Sequence, residues 1–80
     1  MNTNDAMRTV VKNAGISMRA ASERMGRSPN WLGATLARSG SSEASTLAAL
    51  GDVCGYALAL VPLDEVPEGA IVIDAPVKGA

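Results

Sequence analysis

The side chains of this chain best suited to recognising another molecule gather between residues 16 and 40, in the run ISMRAASERMGRSPNWLGATLARSG. Arg19, Arg24, Arg27 and Arg38 supply permanent cations for phosphate oxygens. Asn30 carries an amide that donates and accepts at once, as pairing with the major-groove edge of adenine requires. Ser28 stands nearby with a hydroxyl for a phosphate or a base. Gly33 and Ala34 are small enough to permit close approach or contact with a thymine methyl, and Thr35 faces either such a groove or the core. Bond-making chemistry finds far less to work with. There is no His, which removes the usual zinc sites and His-based acid–base catalysis. Cys54 is the one cysteine, so an intrachain disulfide is excluded, and its place on an apolar helix face reads as a buried structural thiol. The carboxylates of DEVPE (residues 64–68) lack the spacing of a calcium loop and read as solvated. No catalytic residue, metal site or cofactor is expected, and the chain does not read as an enzyme.

Two short helices must position these groups. Ser17 is a good N-cap, because its hydroxyl can accept an otherwise unpaired first-turn amide. Beyond it, Ala21 and Met25 fall four apart on one face, with Arg19, Glu23 and Arg24 on the polar side. Gly26 supplies the left-handed backbone that ends a helix. Ser28-Pro29 restarts the chain, with Ser at the cap and Pro where no amide donor is needed. Trp31, Leu32, Thr35 and Leu36 then recur at helical spacing up to Gly40, Trp31 being expected to bury in part. The expected helices span residues 18–25 and 29–39. Another over residues 5–14, capped by Asn4 or Thr3, turns Met7, Val10, Val11 and Ala14 to one side and ends at Gly15. After a polar loop at residues 39–42, Ser42 or Ser45 caps a fourth, with Leu47, Leu50, Val53 and Cys54 inward and Gly55 as its stop.

A helix, a tight glycine turn and a second helix form a helix-turn-helix unit. This segment resembles the helix-turn-helix of the Cro and phage-repressor class, the xenobiotic-response-element family of regulators. The residues that carry the likeness are Ser22 within the first helix, Met25-Gly26 at the turn, Ser28 opening the second helix and Leu32 inside it. Ser22 must be small because the second helix crosses closely there. TLAALGDVCGY (residues 46–56) resembles the family's fourth helix, which closes the core and ends at Gly, and the likeness covers roughly residues 5–61. There are two departures. Arg27 stands where the family usually has Val or Ile, which weakens the turn's hydrophobic anchor. Met18 stands where many members carry a phosphate-binding Gln, which removes one backbone contact. The resemblance implies a mainly α fold, a four-helix lambda-repressor-like bundle. Its implied function is that of a sequence-specific, Cro-like repressor placing helix 29–39 in the major groove of double-stranded DNA. Arg19, Arg24, Arg27, Ser28, Asn30, Ala34 and Arg38 would be the contacts.

Charge is the chief objection, since the formal net charge is −1 and the pI is about 5.1. Its distribution answers in part. Residues 1–40 hold six cations against Asp5 and Glu23, a formal +4, while residues 41–80 hold Lys78 against six carboxylates, a formal −5. Phosphates respond to the local potential, and affinity should be modest and salt-sensitive. Eighty residues make one small domain, nearly half apolar but with Trp31 and Tyr56 as its aromatics, so the core must come from Ala, Leu, Val, Ile and Met. A core of that size is marginal, and oligomerisation would help it. The longest apolar run, residues 56–63, is broken by Pro62 and too short to span a bilayer, and the start MNTNDAMR has no signal-like apolar core. A soluble, cytoplasmic protein is expected.

From Tyr56 the pattern turns from helical to alternating, with Tyr56, Leu58 and Leu60 against Ala57, Ala59 and Val61, as in a strand. AIVID (residues 70–74) reads as a second strand, so the bundle is expected to carry a C-terminal β-strand or hairpin. Residues 1–61 would form the bundle plus first strand, and residues 62–80 an acidic loop and second strand that extends into a dimer contact. A lone hairpin is marginal in water, so packing or pairing across a homodimer would be needed. A second class of function competes. The same fold could serve as a protein-interaction module, such as an antitoxin or a phage-encoded inhibitor, with the acidic C-terminal half as its partner face.

Overall fold

The computed structural model describes residues 1–38 and 43–74. The first helix, α1 (Thr3–Ala14), begins earlier than expected because Asn2, rather than Asn4 or Thr3, is its cap: the Asn2 side chain accepts the Asp5 N–H at 2.8 Å. Asn4 is instead buried. The second, α2 (Met18–Arg24), opens on Ser17 as expected, with Ser17 Oγ accepting the Ala20 N–H at 3.0 Å. The turn after it depends on Gly26, at φ 74, a conformation that a Cβ would strain. It directs the Arg27 N–H back to the Ser22 carbonyl at 2.9 Å.

The third helix, α3 (Trp31–Arg38), starts two residues later than the sequence suggests. Pro29 and Asn30 form a turn, in which the Trp31 N–H reaches the Ser28 carbonyl at 3.0 Å. The expected side-chain cap is also a different residue. Among the described residues Ser28 Oγ makes no such bond, and the Leu32 N–H is taken by Ser22 Oγ, across from α2, at 3.0 Å. The fourth, α4 (Ala44–Val53), is preceded by Glu43, which makes no side-chain cap bond, and Ser45 lies exposed inside the helix. Ser42 and the polar loop at residues 39–42 lie outside the described residues.

The four helices enclose a core of Ala6, Met7, Val10, Val11, Ala21, Leu32, Leu36, Leu47 and Leu50. It holds no aromatic ring, and Trp31 leans on it half-buried, as expected. Val53 and Cys54, expected inward, are also half-buried. Among the described residues no helix is long and apolar enough to cross a membrane.

The C-terminal strand or hairpin does not form; among the described residues there is no strand. Alternation requires an extended backbone, but a ladder also needs a second segment in register, and none is delivered. Residues 57–61 make no backbone hydrogen bond with another described segment. A 3₁₀ turn at Leu63–Glu65 and the two prolines Pro62 and Pro67 occupy the connection where a hairpin turn would be required. The segment that follows α4, residues 56–74 and here called the arm, is tied down at its ends instead. The Tyr56 N–H bonds to the Gly51 carbonyl at 2.8 Å, and its hydroxyl accepts from Asn13 Nδ2 at 3.0 Å. Ile71 and Ile73 return to lean on the core, and the Asp74 N–H reaches the Met1 carbonyl at 2.9 Å.

Two hydroxyls near α3 should respond oppositely to removal. Ser22→Ala would strand the Leu32 amide in a fully buried site, at a cost of about 1–3 kcal/mol. Thr35 Oγ1 is enclosed without a partner among the described residues, so Thr35→Val should leave stability unchanged or raise it by up to about 1 kcal/mol. Thermal unfolding followed by circular dichroism checks both, and a Ser22→Ala midpoint equal to wild type would show that the cross-helix bond contributes nothing.

Candidate nucleic-acid interface

The exposed side of α3 is set by which residues the core takes. Leu32 and Leu36 are buried, and Thr35 is half-buried with its hydroxyl enclosed, so it belongs to the core side rather than to a groove. Asn30, Gly33, Ala34 and Ala37 are exposed, and their spacing puts them along one stripe. The stripe is nearly bare. One amide precedes three positions with no side chain beyond a methyl group, and Arg27 and Arg38 flank it, both exposed. Ser28 is exposed at the same end as Arg27 and Asn30. No heavy atom lies within 4 Å of where a Cβ on Gly33 would sit, so packing within the chain does not account for this glycine.

Of the seven residues selected from the sequence, all but Ala34 bear polar groups, and the bundle treats them differently. Arg27, Ser28, Asn30, Ala34 and Arg38 share α3 or the turn before it. Arg19 and Arg24 sit on α2. Arg19 lies 3.7 Å from Glu23, one turn on, in an exposed ion pair that holds it only weakly. Arg24 comes near the C-terminal end of α4, where its charge acts on Cys54. There burial pushes the thiol up from its ordinary range, and Arg24 draws it only partly back. That keeps the thiol protonated at neutral pH and fits a structural role. Arg24, Arg27 and Arg38 have no carboxylate in ion-pair reach among the described residues.

One contact escaped the sequence reading. The Arg27 guanidinium carbon lies 5.0 Å from the centre of the Trp31 ring, in a cation–π stack. The signal was present as a spacing of four between a cation and an aromatic, but the turn made helical spacing an uncertain guide. Arg27 thus covers an aromatic surface at the place where the resemblance expects Val or Ile to anchor the turn.

The carboxylates sit elsewhere. Asp64, Glu65 and Glu68 are exposed on the arm, and the arm closes over α1 and α4. Between them lies an open cleft of about 400 Å³, lined by Ala6, Val10, Leu47 and Gly51 of the two helices and by arm residues such as Tyr56 and Ile71. Neither α2 nor α3 contributes to that cleft. The arm that carries these three carboxylates therefore packs on α1 and α4 rather than on α3.

The chain matches no protein-family model, no curated protein and no solved structure.

Proposed function

We propose that the protein is a sequence-specific DNA-binding regulator that lays the exposed stripe of α3 into the major groove. The observation that carries the reading is that stripe itself: a helix face stripped to an amide, a glycine and alanines, with an arginine at each end that has no carboxylate partner among the described residues. Small residues let a backbone approach base edges, Asn30 supplies base-specific hydrogen bonds and the arginines hold phosphates. The cytoplasm, where the chromosome lies, is the compartment this function implies. Arg27→Ala or Arg38→Ala should weaken binding to all duplexes and flatten the salt dependence by about one unit each. Asn30→Ala should cost about 1–3 kcal/mol on sites selected from a random duplex library, and little on unselected DNA. Fluorescence anisotropy across a salt series checks this, and a wild type that binds no duplex at low salt would sink the reading.

Gly33 separates the stability of the helix from its use. Gly in a helix interior is about 1 kcal/mol worse than Ala, and the space around it is open. Gly33→Ala should therefore raise the melting midpoint by roughly 4–8 °C. If the stripe lies against DNA, the same methyl should weaken binding. A variant that is both more stable and equally tight on DNA would contradict close approach at this face.

We further propose that the regulator acts as a homodimer through the arm. Leu60 and Leu63 are almost wholly exposed, and Leu58, Val61 and Val66 substantially so. Each Leu left in water forgoes about 1.5–3 kcal/mol, a cost that a second copy would remove. Recognition helices about 34 Å apart would then require a roughly palindromic site. Light scattering should give a dimer for wild type and a monomer for the Leu60→Glu, Leu63→Glu double variant, whose folding should be intact because neither side chain is buried. A monomeric wild type that captures a different protein through the arm would instead favour an antitoxin or inhibitor role.

A further inference from the structure

We infer that Trp31 is the positioning residue for Arg27, holding its guanidinium ready for a DNA phosphate at the entrance to α3; this rests on the DNA-binding reading above. The geometry is fixed from two directions. The Arg27 backbone is anchored by its N–H to the Ser22 carbonyl at 2.9 Å. Its side chain then lies with the guanidinium carbon 5.0 Å from the Trp31 ring centre. The ring is itself held by packing half-buried against the core, and the Trp31 backbone N–H is bound to the Ser28 carbonyl at 3.0 Å. No carboxylate among the described residues competes for the cation.

Stacking uses the face of the guanidinium and leaves its in-plane N–H donors free. A stacked arginine can therefore still grip a phosphate through two parallel hydrogen bonds. An unsupported arginine on an exposed turn samples many rotamers, most of them pointing away from any one phosphate. The indole removes part of that search before DNA arrives, which is preorganisation in the ordinary sense. Trp31 contributes to affinity in this scheme without touching the nucleic acid. Its indole also takes the place of an aliphatic anchor at the turn, with Arg27 as the lid over it.

A double-mutant cycle tests the assignment, with affinity measured on one selected duplex at fixed salt. An exposed cation–π stack is worth about 0.5–1 kcal/mol, so Trp31→Leu should weaken binding roughly two- to fivefold, and Trp31→Phe, which keeps an aromatic face, should restore most of it. In the Trp31→Leu background, Arg27→Ala should cost two- to fivefold less than it does in wild type. Trp31→Leu should also reduce the magnitude of the salt slope, as a merely structural anchor would not. Additive effects of Trp31→Leu and Arg27→Ala would overturn the inference. Should Trp31→Leu fail to fold by circular dichroism, Trp31→Met decides, since it keeps a long apolar anchor and leaves Arg27 intact but loses the aromatic face. A two- to fivefold loss supports positioning, and wild-type affinity overturns it. Binding by wild type with no coupling rejects the inference alone, while absence of wild-type binding rejects the DNA reading and the inference together.

Discussion

The motif turns on a single hydroxyl. Ser22 Oγ donates to the Met18 carbonyl at 2.9 Å within α2 and accepts the Leu32 N–H at 3.0 Å from α3. One small side chain thus closes a helical turn on one side and serves an otherwise unpaired first-turn amide on the other. The Ser22 carbonyl also receives the amides of Met25 and Arg27, at 3.1 and 2.9 Å. Three of the hydrogen bonds that join α2 to the turn and to α3 therefore meet at this residue. Alanine would fit the space but leave the amide unmet, and a larger residue would push the helices apart.

That constraint explains why α3 can be so plain. With its start fixed by Ser22 and its inner side by Leu32 and Leu36, the helix needs nothing from its outer face for stability. Gly33 and Ala34 stand there at no packing cost, and the glycine only at the expense of helix propensity. Charge is separated in the same manner. Among the described residues Arg24, Arg27 and Arg38, on α2, the turn and α3, have no ion-pair partner, and neither has Lys12 on α1, while the arm packs over α1 and α4. A net charge of −1 conceals this polarity, which would orient the molecule towards an anionic surface.

Most of the bundle was legible because its signals are local. Ser17 as cap and Gly15, Gly26 and Gly55 as left-handed stops each act within a few residues of themselves. So does the apolar spacing that named Met7, Leu32, Leu36, Leu47 and Leu50 as core. The errors arise where a residue acts at longer range. Ser22 was recognised as small but not as the cap of α3, because its partner Leu32 is ten residues away. Ser28 had the right type for that duty and the wrong position. Alternation after Tyr56 suggested a strand but said nothing about a neighbour to pair with, and among the described residues no strand forms. In the candidate site, residue types and the exposed stripe were readable, whereas the stack of Arg27 on Trp31 and the influence of Arg24 on Cys54 needed the folded geometry.

The boundary of the buried core has a bearing on how such a chain can change over time. Every fully buried residue among those described falls between Asn4 and Gly51, and beyond it only Ile71 and Ile73 lean back on the bundle. The arm can therefore accumulate substitutions at Leu58, Leu60 and Leu63 without disturbing the hydroxyl that sets α2 against α3. Two halves joined in this way are free to diversify separately. One lineage could acquire a new companion molecule while α3 stays as it was, and another could alter that helix while keeping its companion.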